Sequence, residues 1–132
     1  GVEGLAEGAA NEGQMIPQAL AVTVLTSDDT AAPHVAAERM RMAMEAGCGG
    51  LVLAAEDLHD AFTLAPKMTR VVPGIRSAGG DTHDQARPAT PGEAISAGAD
   101  LLVVGRAVTQ ADDPVAASAS IADEVRATLA LR

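Results

Sequence analysis

Residues 97–106 read Ala97-Gly98-Ala99-Asp100-Leu101-Leu102-Val103-Val104-Gly105-Arg106. Four consecutive apolar residues stand between two glycines, with no polar residue alternating among them. A short, uniformly apolar run of this kind predicts a strand buried on both faces, as in a parallel sheet. The pattern recurs. Ala46-Gly47-x-x-x-Leu51-Val52 returns 51 residues later as Ala97-Gly98-x-x-x-Leu102-Val103, each copy marking a helix stop before a buried strand. Ala19-Leu20-Ala21-Val22-Thr23-Val24-Leu25 and Arg70-Val71-Val72 are runs of the same character. Strands are therefore expected over 19–25, 50–54, 70–73 and 101–104.

Helical patterns separate these runs. Over residues 33–46, Ala36, Met40, Ala43 and Met44 fall on one helical face and His34, Glu38, Arg41 and Glu45 on the other. Such a helix covers a sheet; Pro33 suits its first turn and Gly47 its C-terminal stop. Thr90-Pro91-Gly92-Glu93 has the form of a capping box, with Thr at the N-cap and Glu three residues on. Asp113-Pro114 opens a helix over 114–130 expected to bury Ala117, Ile121, Val125 and Leu129. A first helix is expected over 1–14 and a shorter one from Glu56 to Ala65. Strand and helix alternate, which argues for βα units and a parallel sheet. A (β/α)₈ barrel takes eight strands and about 250 residues. Four strands in 132 residues read as one α/β domain spanning half a barrel.

Composition narrows the partners. Eighteen acids against nine bases give a net charge of −9, which argues against nucleic acid. No apolar run approaches the length of a membrane span, and the start lacks the basic and apolar regions of a signal peptide. One cysteine, Cys48, excludes an internal disulfide and a cysteine-based zinc site, and suits the cytoplasm. With one phenylalanine and neither tyrosine nor tryptophan, the core has to be aliphatic.

In βα architectures the loops after the strands' C-terminal ends carry function. After the first strand come Thr26, Ser27, Asp28 and Asp29, where hydroxyls can meet a ligand or acids can cap the next helix. After the third comes a long Gly-rich segment over 74–90 holding Arg76, Asp81, His83, Asp84, Gln85 and Arg87. Loops of this length in compact domains are often lids, and its arginines suit an anion. Gly105-Arg106 follows the fourth strand, where Gly lets a ligand approach the backbone and Arg grips phosphate in two places. The long segment also reads as a solvated loop, and Gly105-Arg106 as a tight turn with a surface arginine. Asp81, His83 and Asp84 are a weak metal motif, and His34, His59 and Cys48 have no partner at ligand spacing. Lys67, the one lysine, precedes the third strand and so belongs to the opposite end.

Several blocks together resemble one family. Leu20-Ala21-Val22-Thr23-Val24-Leu25-Thr26-Ser27 is similar to the fifth strand of orotidine 5′-phosphate decarboxylases. Pro73-Gly74-Ile75-Arg76, Asp84-Gln85-x-Arg87 and Thr90-Pro91 resemble their seventh strand and phosphate lid. Residues 97–106, with Thr109 and Asp112-Asp113-Pro114, resemble their eighth strand and last helix.

The resemblance implies a TIM barrel, active as a homodimer without metal or organic cofactor. It would convert orotidine 5′-phosphate to UMP and CO₂ in de novo pyrimidine biosynthesis. Thr26 and Ser27 would meet the pyrimidine, Arg76 would belong to the closing loop, and Gln85, Gly105 and Arg106 would bind phosphate. These residues would correspond to the fourth helix and the fifth to eighth βα units. The family's Lys-Asp-Lys-Asp array lies on earlier strands, so no catalytic residue is expected among the 132, and the chain by itself is expected to be inactive. Two other readings stand beside this one. The chain can be part of a sugar-phosphate isomerase, epimerase or aldolase, or a non-catalytic half-barrel that assembles.

Overall fold

The computed structural model describes residues 1–25, 31–76 and 89–131. Helix α1 (Val2–Asn11) leads into β1 (Leu20–Val22), α2 (Pro33–Glu45) and β2 (Gly50–Val52). A 3₁₀ turn (Ala55–Asp57) and α3 (Leu58–Leu64) precede β3 (Thr69–Val72), followed by α4 (Pro91–Ser96) and β4 (Leu101–Leu102). A single turn, α5 (Arg106–Thr109), and the long α6 (Pro114–Ala130) complete the order. The four strands form one parallel sheet in sequential order, β1-β2-β3-β4.

Local chemistry explains the boundaries. Gly47 and Gly98 adopt φ of 76° and 107°, left-handed values that glycine adopts without strain. They end α2 and the α4 turn in the two sequence echoes. At α4 the Thr90 hydroxyl accepts from the Glu93 N–H (3.2 Å) and the Glu93 carboxylate accepts from the Thr90 N–H (2.9 Å). This closes the capping box. Asp113 caps α6 by accepting from the N–H groups of Val115 and Ala116.

The strands are shorter than the apolar runs that announce them, although single bonds extend the ladder. The N–H of Thr23 donates to Val52 O, that of Leu53 to Val71 O and that of Val103 to Val72 O. At the opposite end, Arg70 grips Asp100 in two places, Nε to Oδ2 at 2.9 Å and Nη2 to Oδ1 at 3.1 Å. Its guanidinium also stacks over Phe62. This clamp sets the register between β3 and β4, and with it the relative height of the two strand ends that carry Arg76 and Arg106.

One face of the sheet carries the core. Met40, Leu51, Leu53, Leu58 and Val72 are fully buried there, with Ala36, Ala43, Ala61 and Ala94 against them. Alanines let the helices approach closely where aromatics are lacking. The expectation of burial on both faces fails at the outer strands, where Leu20, Val22, Leu101 and Val103 are exposed. The helices cover one side of the sheet, and no described element covers the other. Met44 and Leu129 are likewise exposed rather than buried. Each lies at the margin of its helix's apolar stripe.

Candidate functional site

Parallel strands bring their C-terminal ends to one side, and the loops leaving that side build the site. At the end of β1, the Thr23 hydroxyl and N–H both donate to Val52 O, at 3.1 and 2.9 Å. The Thr23 carbonyl accepts from Nη1 of Arg39. The long side chain of Arg39 thus reaches from α2 to the strand end. Spacing along α2 places the Cα of Arg39 beside the core residue Met40, but not the path of a flexible stem. Thr26 and Ser27, which follow this end, lie outside the described residues.

At the end of β3, Gly74 turns the chain at φ 75°. Ile75 then bridges Ala89 in parallel register, and the Arg76 N–H donates to Ala89 O at 2.9 Å. The chain thus leaves at Arg76 and returns at Ala89 one hydrogen bond away. Gln85, His83 and most of the segment expected to form a lid lie outside the described residues. Arg76 itself is 9% exposed. Its Nη1 has a long contact of 3.4 Å to Ile75 O, while its Nε is buried with no hydrogen-bond partner among the described residues.

At the end of β4, Gly105 is exposed, and a Cβ added there would meet no atom within 4 Å. Backbone N–H groups at this point are open to a ligand's close approach. Arg106 begins α5, whose own bonds start with Val108 N–H to Gly105 O (2.9 Å). This turn is not signalled in the sequence, since four residues are too few to show periodicity.

The register joins these pieces. Val72 pairs with Leu102, and Arg76 and Arg106 each follow four residues after that pair. The structure thus brings Arg76, Gly105 and Arg106 to the same end of adjacent strands. Two arginines and exposed backbone at the same end of adjacent strands are the residue types that suit an anion accepting several hydrogen bonds. Lys67 is exposed just before β3, at the other end. His34 and His59 are exposed on α2 and α3, and Cys48 is half-buried in the turn before β2. Among the described residues no three His, Cys, Asp or Glu side chains gather as a metal site, and no helix is long and apolar enough to cross a membrane.

Comparison with known proteins gives a consistent picture. Residues 1–121 match the model of the orotidine 5′-phosphate decarboxylase / HUMPS family. The chain is 46% identical over 114 residues to an orotidine 5′-phosphate decarboxylase of Anaeromyxobacter sp. (strain K), covering 78% of this chain and 50% of that one. It is 45% identical over 123 residues to one from Bradyrhizobium sp. (strain BTAi1), covering 85% and 51%. The crystal structure of orotidine 5′-monophosphate decarboxylase from Sulfolobus solfataricus superposes with a TM-score of 0.71 at 23% identity, covering 96% of this chain and 56% of that one. The Lactobacillus acidophilus enzyme superposes at 0.68 with 30% identity, covering 94% and 55%. The chain spans about half the length of the curated relatives it matches.

Proposed function

Because this chain belongs to the orotidine 5′-phosphate decarboxylase / HUMPS family, we propose that it forms the phosphate- and pyrimidine-binding part of a carboxy-lyase. That enzyme converts orotidine 5′-phosphate to UMP and CO₂, a step of de novo pyrimidine biosynthesis. Arg106 and the Gly105 backbone grip the phosphate, with Arg76 at the base of the segment that closes over it. Gln85 adds a hydrogen bond to the phosphate, and Thr26 and Ser27 meet the pyrimidine edge. The single observation that carries this reading is Arg76, a buried cation at the strand ends whose Nε has no hydrogen-bond partner among the described residues, one strand away from Arg106.

The chemistry divides accordingly. Loss of CO₂ leaves a carbanion-like carbon that needs a proton donor and surrounding charge. Arginine stays protonated and donates poorly, and the one lysine lies at the wrong end. These residues therefore hold the remote phosphate, whose binding energy is realised at the reacting ring, and exclude water when the site closes. The charged groups at the ring belong to a second half-barrel. We assign the complete enzyme to the cytoplasm and to a homodimer.

Complementation tests the reading. The 132-residue chain is mixed with a separately produced N-terminal half of the Anaeromyxobacter relative, and loss of substrate absorbance is followed. Turnover is expected from the mixture and from neither part alone. Turnover by the chain alone that survives repurification, or none from a mixture shown to associate, contradicts it.

A further inference from the structure

The two sequence echoes fold alike. In the first, the N–H groups of Ala46, Gly47 and Cys48 donate to Met42 O, Met44 O and Ala43 O. In the second, those of Ala97, Gly98 and Ala99 donate to Glu93 O, Ile95 O and Ala94 O. The next N–H in each copy reaches the start of the neighbouring strand: Gly49 donates to Ala19 O and Asp100 to Arg70 O, both at 2.9 Å. Gly49 and Ala19 bring no polar side chain to this bond. Asp100 and Arg70, in the same places, add three bonds. The Arg70 N–H donates to Asp100 Oδ2 at 2.8 Å, its Nε to the same oxygen at 2.9 Å and its Nη2 to Oδ1 at 3.1 Å. The first copy closes the same turn without an ion pair, so the turn itself does not require one.

Position separates the two copies. The β3–β4 ladder has two residue pairs, against three in β1–β2 and three in β2–β3. It is thus the seam held by the fewest backbone bonds. It is also the seam that ends at the proposed phosphate site. Arg76 stands six residues after Arg70, and Arg106 six residues after Asp100. The pair is built to be rigid. The Arg70 side chain is 13% exposed and lies over Phe62. An exposed, single-contact ion pair would contribute little, whereas a forked pair fixes direction as well as distance.

We infer that Arg70 and Asp100 are positioning residues for phosphate: they hold β3 and β4 at one register, so that Arg76 and Gly105-Arg106 meet the same anion. The inference rests on the phosphate site proposed above, and adds to it a pair at the opposite end of the strands that touches no ligand. A slip of one residue along the ladder would offset the two strand ends by about 3.3 Å. Misplacing a positioned group by about 1 Å can already cost about a hundredfold in rate. A strong clamp on the shortest ladder prevents such an offset.

Calorimetric titration of the 132-residue chain with UMP and with uridine is the test, and the readout is the ratio of the two affinities. A pair that served stability alone would lower the urea midpoint and leave that ratio unchanged in the folded chain. Asp100→Ala, shown folded by circular dichroism, is expected to reduce the preference for UMP at least about tenfold and to leave uridine affinity as it was. Gln18→Ala is the control, because Gln18 Nε2 donates to Gly49 O at 2.9 Å, at the place in the first copy that Asp100 holds in the second. It should keep the parental ratio. If Asp100→Ala does not fold, Arg70→Met decides. It keeps an apolar stem beside Phe62 and the backbone N–H to Asp100, and should lose the preference likewise. A folded Asp100→Ala or Arg70→Met chain with the parental ratio, or a Gln18→Ala chain that loses the preference equally, overturns the inference and leaves the phosphate site standing. A parent chain that binds UMP no more tightly than uridine overturns the site and the inference with it.

Discussion

Arg76 combines burial, charge and an Nε without a hydrogen-bond partner among the described residues, an arrangement that folding alone does not favour. Replacing a buried ionic group by an apolar one of similar size is often neutral or stabilising. Arg76→Leu is therefore expected to keep unfolding free energy within about 1 kcal/mol of the parent in urea, while weakening UMP binding at least about tenfold. Large destabilisation would make Arg76 a structural residue instead. Glu93 illustrates a purely structural carboxylate. Backbone and hydroxyl hydrogen bonds from Thr90 hold its pKa below the ordinary value. With the folded pKa lower than the unfolded one, the unfolded state binds more protons in acid. The stabilisation is present above the unfolded pKa and is lost as pH falls through the folded one. Glu93→Gln should thus lower thermal stability at neutral pH, with the gap to the parent closing on acidification. A gap independent of pH would contradict this. At this scale the sequence is legible where backbone and charge combine locally, as in Gly105-Arg106. It is silent on Arg39, whose contact with Thr23 O depends on the course of a flexible side chain between two elements.

At the scale of elements, the tightest joint is between α4 and α6. The Gly92 N–H donates to Glu124 Oε1 at 2.7 Å, which places a carboxylate at the start of α4. Removing it leaves a partly buried donor without its partner, so Glu124→Ala should cost about 1–3 kcal/mol in urea unfolding. A change below about 0.5 kcal/mol would show that the joint is held by apolar packing alone. Gly50 marks a closer constraint, since a Cβ there would lie 2.7 Å from the Thr69 carbonyl oxygen and 2.6 Å from Leu20 Cδ2. The backbone oxygen cannot swing aside as a side chain can. Gly50→Ala is expected to destabilise by at least about 1–3 kcal/mol, as overpacking does. An unchanged midpoint would contradict the tight β1–β2–β3 spacing. Element starts are readable in sequence because caps are local: Thr90 with Glu93, and Asp113 with Pro114, act within one turn. Strand lengths and the one-turn α5 are not, because ladder bonds depend on the neighbouring strand and four residues carry no period.

At the scale of the whole molecule, uniform apolar runs separated by helices identify a parallel βα sheet, and four such runs identify half a barrel. The error lay in the second face. Leu20, Val22, Leu101 and Val103 have strand-core character but are exposed. An apolar run shows that a face is meant to be covered, not whether the cover lies in the same stretch of chain. The site follows the same logic. Arg76, Gly105 and Arg106 come together at the ends of adjacent strands because the parallel register of β3 and β4 aligns those ends. Calorimetric titration of the 132-residue chain with UMP and with uridine probes the proposed anion site at the strand ends. UMP should bind measurably more tightly than uridine, and Arg106→Ala should erase the difference while leaving the fold intact by circular dichroism. Equal binding of UMP and uridine by the parent chain, or a UMP preference that survives Arg106→Ala, would contradict an anion site there.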